Sequence, residues 1–389
     1  MGFIETIEQA IPAAPGKEAG WDELSRLLSG TGFSLLVETP QDPAYHGEGN
    51  VLVHTRAVCR ELASDPGFFR LDARRRTELY LAAVLHDVGK AWTTRLENGT
   101  LICPHHGPSG SRRVREFLWR DCGLCGTPEG MAIRETVCAL IRHHMLPLHL
   151  ISREDAERMA RTVAAAGEHA PGFNWERLCM LSRADARGRI AEDVPDMLAR
   201  VEMARMLAEE AGCLTGPYPF ADEYTKHAWL SGRNVPPDQA LFDGTWGEVI
   251  LLSGLPGTGK DTWILKNHPG LPVVSPDRIR KEQGIGPEEN QGRVVQAAKE
   301  RARTFLRKKE PFVWNATNLT REMRQPLVRL AEQYGARVRI VYLETEWETR
   351  LERNAGRADA VPEGTIGRML RITEPPMPEE AQAVEWVCV

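Results

Sequence analysis

The residues best suited to metal chemistry are histidines and aspartates in the first half of the chain. There are eleven histidines in all, and their clustering is too dense for chance. Neutral imidazoles and carboxylates are common ligands of divalent transition metals, and such a metal polarises a phosphate and lowers the pKa of water. A single histidine is ordinarily a hydrogen-bonded residue at a helix end, but the joint set favours metal-dependent phosphoester hydrolysis. Its members are His54, His86, Asp87, His105, His106, His143, His144 and Asp185.

A glycine-rich loop in ILLSGLPGTGKDTW, residues 250–263, forms the second group with chemical potential. Its two glycines and lysine follow the spacing of a phosphate-binding loop, and the strand-like EVILL before it supplies the required context. Backbone amides of such a loop surround the β-phosphate, and the following helix adds the positive end of its dipole. The predicted ATP-binding residues are Gly254, Gly257, Thr258, Gly259, Lys260, Asp261 and Thr262.

Position 261 departs from the pattern of this loop. Asp261 stands where a serine or threonine hydroxyl normally contacts magnesium. Three interpretations stay open. The carboxylate is favoured only by the helix dipole, or it replaces the hydroxyl as a direct or water-mediated magnesium contact, or Thr262 takes over through a small register shift.

Length and composition indicate a multidomain protein of the cytosol. A chain of 389 residues has room for two or three domains. Its apolar runs are far shorter than the roughly 20 residues of a membrane span, and eight scattered cysteines without a recognisable secretory signal favour reduced thiols. We therefore expect a soluble, cytoplasmic protein with no membrane partner.

The charge is spread unevenly along the chain. Residues 248–389 carry 22 Lys and Arg against 20 Asp and Glu, whereas residues 1–247 carry 27 against 34, within an overall net charge of −5. No global field therefore draws the protein to nucleic acid. Any contact with nucleic acid is expected to be local.

Hydrophobic periodicity separates two kinds of fold. From about residue 45 to 212 the apolar residues mostly recur with a helical period, whereas from 248 short β-like runs alternate with helical ones. This predicts an N-terminal all-α domain, residues 45–212, and a C-terminal α/β domain with a parallel sheet, residues 248–389. The Pro- and Gly-punctuated segment 213–247 is predicted to be a packed connector. Residues 1–44 carry no recognisable motif.

The segments HDVGK and HHGPSG resemble the HD superfamily of metal-dependent phosphohydrolases, particularly the HD domains attached to bacterial tRNA nucleotidyltransferases. The resemblance covers roughly residues 45–210. It implies one metal with four ligands and a second metal that shares one carboxylate with the first. The first set is His54, His86, Asp87 and Asp185, and the second is Asp87, His106 and His144.

Two of these assignments choose between adjacent histidines. His106 is preferred to His105 because HxxxG is the family spacing, and His144 is preferred to His143 because MLP follows it, as in the family. The resemblance also implies that Lys90 faces the substrate phosphate as a point charge. A surface lysine without a functional role would give the same sequence pattern.

The segment SPDRIR, residues 275–280, resembles the 5′-OH polynucleotide kinases of phage and bacterial end-healing enzymes. The resemblance implies that Asp277 accepts the proton of the attacking 5′-hydroxyl and that Arg280 clamps a phosphate of the strand. The tail RLERNAGRADAVP resembles the family's lid, which implies that Arg357, or secondarily Arg353, folds over the β- and γ-phosphates. Without the loop before them, these segments would be read as a turn and a solvated basic helix.

A second departure from that family occurs in VWNATN, where the resembling strand ends in D-x-T-N. Asn315 replaces the acid. Together the two departures suggest an exchange, in which the carboxylate absent at Asn315 is present instead at Asp261. This is our hypothesis for how the charge of magnesium is balanced.

The two halves together resemble the bacterial HD–polynucleotide kinases, which are bifunctional RNA end-healing enzymes, and the resemblance covers most of the chain. It implies ATP-dependent phosphorylation of 5′-OH ends of RNA or DNA and removal of 3′- or 2′-phosphates or 2′,3′-cyclic phosphates. The implied cofactors are ATP, Mg²⁺ and one or two divalent transition-metal ions, and the implied partner is an RNA ligase acting downstream.

Two other classes of function are alternatives to an end-healing enzyme. A nucleotide-signalling protein would hydrolyse or sense small nucleotides with the HD domain and use the phosphate-binding loop as a switch, without polynucleotide and without Asp277. A non-enzymatic scaffold would require a broken metal set, and the set in this sequence is complete.

Overall fold

The computed structural model describes residues 2–286, 289–357 and 359–389. The chain divides into two compact units, Met1–Leu124 with Glu129–Tyr218, and Cys125–Pro128 with Pro219–Val389. The segment before residue 45 belongs to the first unit. The segment 213–247 is divided between the two units.

The first unit is built almost wholly of helices. Its α-helices are α1 (Phe3–Ala10), α2 (Trp21–Leu27), α3 (Val51–Ser64), α4 (Pro66–Arg70), α5 (Ala73–Leu85), α6 (Lys90–Thr93), α7 (His106–Arg120), α8 (Pro128–His143), α9 (Ala156–Ala164), α10 (Trp175–Arg187) and α11 (Val194–Glu210). A small antiparallel hairpin, β1 (Arg95–Glu97) and β2 (Thr100–Ile102), is an addition that the periodicity did not predict.

Three helices that pack together position most of the metal-ligand candidates. Side-chain caps start α3 and α10: the side-chain oxygen of Asn50 accepts a hydrogen bond from the Val53 amide, and that of Asn174 accepts one from the Arg177 amide. Helix α3 packs against both α5 and α10, with a fully buried apolar interface. Its members include Val58, Leu62, Leu81, Leu178 and Leu181.

The second unit contains a five-stranded parallel sheet in the order β4-β5-β3-β6-β7. Its strands are β3 (Glu248–Ser253), β4 (Val273–Val274), β5 (Phe312–Asn315), β6 (Arg337–Glu344) and β7 (Ala383–Cys388), and its helices are α12 (Glu223–Leu230), α13 (Lys260–Asn267), α14 (Pro276–Glu282), α15 (Gln291–Lys308), α16 (Arg321–Gln333), α17 (Trp347–Ala355) and α18 (Glu363–Ile372). The predicted fold class, a helical domain followed by an α/β domain with a parallel sheet, is confirmed.

Strand β3 lies at the centre of this sheet and is buried on both faces. Val249 and Leu251 pack into one apolar cluster, and Ile250 and Leu252 pack into another. Such a strand reads as a continuous apolar run because no face meets water. Its carboxyl end leads into the glycine-rich loop, at the sheet edge where ligands of open α/β folds bind.

Among the described residues, no helix combines the length and the apolar character needed to cross a bilayer.

Candidate metal centre and nucleotide site

Asp87 lies at the centre of the histidine cluster, and its two carboxylate oxygens face different imidazoles. Its Oδ2 is 3.3 Å from Nε2 of His86 and 3.7 Å from Nε2 of His54. Its Oδ1 is 3.3 Å from Nε2 of His106 and 3.9 Å from Nε2 of His144. The structure therefore forms two groups of potential metal ligands that share Asp87.

Asp185 joins the first of these groups. Its Oδ1 lies 3.0 Å from His54 Nε2 and 4.0 Å from His86 Nε2. Arg189, two residues after the end of α10, forms an ion pair with the same carboxylate at 3.1 Å. Burial by itself raises the pKa of the Asp185 carboxyl, but the Arg189 guanidinium and the hydrogen bond with His54 hold that pKa well below its usual value. Asp185 is therefore ionised.

Three histidines are held in one tautomer by backbone carbonyls. The Nδ1 atoms of His86, His106 and His144 donate to the carbonyls of Ala83, Cys103 and Ile141 at 2.8, 2.9 and 2.8 Å. A carbonyl only accepts, so each Nδ1 carries the proton and each Nε2 is left with a lone pair. This arrangement is typical of metal-binding histidines.

The buried atoms at the centre of the cluster fit a divalent cation. Within the described ranges, His86 Nε2 and Asp87 Oδ1 make no hydrogen bond although both side chains are buried, and Asp87 Oδ2 is in an ion pair with Lys90. Burial alone raises the pKa of the Asp87 carboxyl, but the Lys90 ammonium, 2.7 Å from Oδ2, holds that pKa well below its usual value. Burial lowers the pKa of His144 to about 3, so this imidazole is neutral. A carboxylate and neutral imidazoles with free lone pairs are a suitable donor set.

The neighbouring histidines take other positions. His105 adopts a left-handed conformation, with φ 54°, immediately before α7. The His143 ring packs against Phe173, with 6.0 Å between centroids. Neither belongs to the groups of potential ligands found among the described residues.

Gly89 explains why HDVGK can lie against the next ligand. A Cβ atom at this position would clash with the carbonyl of His106. The absence of a side chain thus allows the turn that follows Asp87 to contact the start of α7. Lys90 then points back to the cluster, where its Nζ also donates to the side-chain oxygen of Gln41 at 2.8 Å.

Sequence reasoning missed His46 and Glu48, which lie beside the predicted ligand His54. His46, Glu48 and His54 form a third group of potential ligands, with Glu48 Oε1 2.8 Å from His46 Nδ1 and 2.9 Å from His54 Nδ1. Arg189 was also missed. The HxE spacing just before His54, in HGEGNVLVH, was the available signal for the first two.

In the second unit, the glycine-rich loop curls around Lys260. The Lys260 Nζ donates to the carbonyls of Gly254 and Leu255, each at 2.8 Å. Gly257 and Gly259 have φ of 84° and 83°, values that residues with a Cβ atom rarely adopt. Burial lowers the pKa of Lys260 to about 8. Thr258 closes the loop by donating to the Leu255 carbonyl at 2.9 Å.

The two departures from the kinase pattern meet directly. Asn315 Nδ2 donates to Asp261 Oδ1 at 2.7 Å, because β5 pairs with β3 so that Asn315 is opposite Leu252. The Asp261 side chain is 66% exposed, with Arg278 3.9 Å from its Oδ1. Thr262 is exposed in the first turn of α13.

The remaining predicted kinase residues lie around the same loop. Ser275 caps α14 by accepting from the Arg278 amide at 3.4 Å, which places Asp277 in the first turn, with Arg280 Nη1 2.6 Å from its Oδ1. After burial, the charges that act on the pKa of Lys260 are those of Asp261, Arg357 and Asp277. These three side chains therefore lie close enough to Lys260 for their charges to act on its ammonium.

Arg353 contacts the loop from another direction. Its Nη1 donates to the carbonyl of Val389 at 3.5 Å, and a Cβ at Gly259 would lie 3.5 Å from the same nitrogen. Both arginines proposed for the lid are thus within reach of the loop. Arg280 lies beside Asp277, and its guanidinium also donates to Gln291 Oε1 at 3.1 Å.

Both units match known protein families. Residues 51–167 match the family model of the HD domain, and residues 249–376 match a family model described as an AAA domain. The chain therefore combines a segment similar to the HD domain with a segment similar to an AAA domain. The first match contains His54, His86, Asp87, His106 and His144 but ends before Asp185.

Solved structures similar to this chain include two bacterial proteins. A presumed kinase from Chloroflexus aurantiacus is 18% identical, with a TM-score of 0.31, over 37% of this chain and 86% of that chain. A gluconokinase from Sinorhizobium meliloti is 21% identical, with a TM-score of 0.28, over 37% of this chain and 83% of that chain.

Proposed function

We propose that this protein is a bifunctional enzyme that repairs broken polynucleotide ends, most readily RNA ends. One activity phosphorylates a 5′-OH end with ATP, and the other removes a 3′- or 2′-phosphate or opens and removes a 2′,3′-cyclic phosphate. The main support is that one unit gathers imidazoles and carboxylates suited to phosphoester hydrolysis, while the other unit gathers a glycine-rich loop, a lysine and nearby carboxylates suited to phosphoryl transfer.

The metal centre would be held by His54, His86, Asp87 and Asp185 for one ion, and by Asp87, His106 and His144 for a second. A bound divalent ion would supply Lewis-acid polarisation of the phosphate and a nucleophilic water at neutral pH.

The protein's own contribution to hydrolysis is positioning and charge. The backbone carbonyls that accept from Nδ1 orient three imidazoles before substrate arrives. Lys90 and Arg189 place two positive charges beside the ligand carboxylates. We propose that these cations bind the nonbridging oxygens of the terminal phosphate, because charge-assisted hydrogen bonds to phosphate are among the strongest available.

The kinase site would bind ATP through the loop amides and Lys260, with Mg²⁺ near Asp261. Asp277 would accept the proton of the 5′-hydroxyl, and Arg357 and Arg353 would neutralise charge on the transferring phosphoryl group. The Asp277–Arg280 ion pair supports a polynucleotide acceptor, since an arginine beside the general base could hold a phosphate of the same strand. The RNA ligase expected to act downstream would need both products, a 5′-phosphate and a free 3′-OH.

The test is a single incubation that reads both ends of one molecule. Labelled ATP and a short RNA with 5′-OH and 2′,3′-cyclic phosphate ends are mixed with the protein, and the two ends are analysed separately. We expect a labelled 5′-phosphate and a 3′-end free of phosphate. A matched DNA strand reports on sugar preference. Activity on mononucleotides alone, with no phosphate transferred to either strand, would instead favour a nucleotide-signalling role.

A further inference from the structure

A pocket in the first unit opens beside the metal cluster. Its cavity volume is about 170 Å³. The cations Lys90 and Arg189 line its buried end, and each forms an ion pair with a carboxylate of the metal cluster, Asp87 and Asp185 respectively. Tyr45, 54% exposed, lines the outer end. Positive charge therefore lies at the bottom of the pocket and an aromatic ring at its mouth.

Two chain segments form the side walls. One is the stretch from Pro40 to His46, and the other runs from Leu101 to Cys103 at the end of the small hairpin. The hairpin side contributes apolar surface, and the other side contributes the amide of Gln41 and the carboxylate of Asp42. Mixed walls of this kind suit a sugar, which has both apolar faces and hydroxyl groups.

The segment with Tyr45 is held in place by hydrogen bonds. The carbonyl of Asp42 accepts from the amides of Tyr45 and His46 at 3.1 and 2.9 Å, which forms a turn. Gly47 N donates to the carbonyl of Ile190 at 2.9 Å, and Ile190 N donates to Glu48 Oε2 at 2.8 Å. The turn is therefore tied to the segment that immediately follows Arg189.

Gln41 links the same segment to the basic end. Its Oε1 accepts from Lys90 Nζ at 2.8 Å, and its Nε2 donates to the carbonyl of Gly49 at 3.3 Å. Because the two ends of the amide are fixed, Gln41 determines where the ammonium lies. The wall and the phosphate-facing charge thus form one preorganised structure.

We propose that this pocket binds the terminal nucleoside of the substrate, with its phosphate toward Lys90 and Arg189, its ribose between the walls and its base against Tyr45. This inference rests on the proposed function of the metal centre. The cavity is smaller than the roughly 300–1,000 Å³ of pockets that enclose drug-sized ligands, so it would enclose a sugar phosphate and leave the base at the mouth. Every base has a face that can stack, so recognition through Tyr45 would tolerate any base.

The wall formed by residues 40–46 lies outside the matched HD region, whereas the hairpin wall lies within it. The HD match covers residues 51–167, whereas Gln41, Tyr45, His46 and Arg189 precede or follow it. The metal ligands up to His144 come from the shared part of the fold. The contacts of Gln41 and Tyr45 with the nucleoside would come from outside the matched region, and those of the hairpin from within it.

The experiment measures binding without the metal, so that it does not depend on turnover. Isothermal titration calorimetry of the chelator-treated protein would compare adenosine 2′-phosphate, uridine 2′-phosphate and inorganic phosphate. Tyr45→Ala should lower the affinity for both nucleotides about tenfold, as expected for one lost stacking contact, and leave the affinity for phosphate unchanged. Tyr45→Trp should retain nucleotide affinity. Phe242→Ala removes a side chain that is 91% exposed in the second unit, and as a matched control it should change nothing.

A kinetic measurement on the full-length, metal-loaded protein complements the titration. With a 2′,3′-cyclic nucleotide, Tyr45→Ala should raise KM about tenfold and leave kcat within about twofold. With methyl phosphate, which has no base or sugar, both constants should match those of the wild type.

The outcomes separate this inference from the function on which it rests. If the wild type releases end phosphates but Tyr45→Ala binds nucleotides as tightly as the wild type, the pocket assignment alone is overturned. Equal weakening of nucleotide and phosphate by Tyr45→Ala would also overturn it, because the tyrosine would then act only by supporting the basic end. A wild type that binds no nucleotide and releases no end phosphate would overturn both.

Discussion

The two candidate sites differ in how far the protein itself has organised them. In the metal centre, the carboxylates of Asp87 and Asp185 have side chains that are 2% and 1% exposed. In the nucleotide site, those of Asp261 and Asp277 are 66% and 62% exposed. Burying a charge without partners is costly. The buried carboxylates of the first site therefore have to meet their partners as the protein folds. The second keeps its carboxylates in water until substrates and magnesium are present.

The lysines of the two sites show the same difference. Lys90 contacts side chains, Asp87 and Gln41, and these contacts aim its ammonium at the cluster. Within the described residues, the hydrogen bonds of Lys260 go to backbone carbonyls of its own loop, with one longer bond to the hydroxyl of Thr258. A bound phosphate can compete for Lys260 more easily than for Lys90. The first site should therefore be sensitive to almost any substitution, and the second to substitutions that act when ATP is bound.

The largest expected effect is loss of hydrolysis when the shared carboxylate is changed. Asp87→Asn keeps the shape of the side chain but removes the charge that both groups of imidazoles share. Release of end phosphate should fall by more than about a thousandfold, beyond the cost of losing one transition-state contact, with kinase activity unchanged. Metal content, measured by mass spectrometry of the purified protein, should fall as well. Asp155→Asn changes a carboxylate that is 44% exposed in the same unit and serves as the matched control.

The converse substitution tests whether the sites are independent. Lys260→Ala removes the ammonium that would contact the transferring phosphate, so 5′-phosphorylation should fall by about two to three orders of magnitude while hydrolysis remains. Circular dichroism would verify folding. A folded variant, at either position, that lacks both activities would contradict the model of two separate sites.

The next prediction concerns which metal ion restores the activity of the hydrolytic site. Four imidazoles favour later first-row ions over magnesium, which prefers oxygen ligands. After dialysis against chelator, Mn²⁺, Co²⁺, Ni²⁺ or Cu²⁺ should restore release of end phosphate, while Mg²⁺ alone should leave it near background. Kinase activity in the same samples should respond to Mg²⁺. Complete recovery of hydrolysis with Mg²⁺ would mean that the imidazoles do not bind the catalytic ion.

The third effect concerns Asp261 and its hydrogen bond with Asn315. If the carboxylate supports Mg²⁺, Asp261→Ala should lower the kinase kcat about a hundredfold, or about 3 kcal/mol, with a smaller change in nucleotide affinity. Asp261→Ser alone should recover only part of the activity. Because the two side chains are in contact, adding Asn315→Asp to Asp261→Ser should recover more than the single effects predict. Near-normal turnover of Asp261→Ala across a magnesium titration would show that this residue acts only as a charge at a helix terminus.

The smallest expected effect is a proton taken up when ATP binds. Burial gives the Lys260 ammonium a pKa of about 8 in the free protein, below its usual value of 10.5, so part of it is neutral at pH 8. Phosphates favour the charged form and raise that pKa, so binding at pH 8 should take up as much as about half a proton. At pH 6.5, where the lysine is already charged, the uptake through this group should vanish. Calorimetry in two buffers with different ionisation enthalpies measures the uptake.

Lys260→Arg provides the control for this measurement. Arginine stays charged throughout this pH range, so the variant should show no uptake through position 260. If its uptake at pH 8 equalled that of the wild type, the proton would come from another group, and the lysine would already be fully charged in the free protein.

Much of the fold could be predicted because its signals are local. The period of the apolar residues indicated a helical first unit, and the alternation after residue 248 indicated the parallel sheet that the structure contains. The hairpin at residues 95–102 was missed because its strands have three residues each and are largely exposed, so they leave no burial pattern to read. The turn at residues 42–46 was missed because its role depends on the contacts of Gly47 and Glu48 with Ile190, far along the chain.

The sequence by itself determined the parts of the sites that are contiguous in the chain. The phosphate-binding loop could be read directly because successive backbone amides and one lysine bind the phosphate, and His86-Asp87 could be read because the pair ends one helix. Only the tertiary structure decided that Gln41 and Arg189 lie beside the cluster and that Asn315 donates to Asp261. It also placed His106 and His144, which the family spacing had favoured, among the potential ligands. These depend on how helices and strands far apart in sequence pack together, and a side chain's neighbours across such an interface leave no periodic or local signal in the chain.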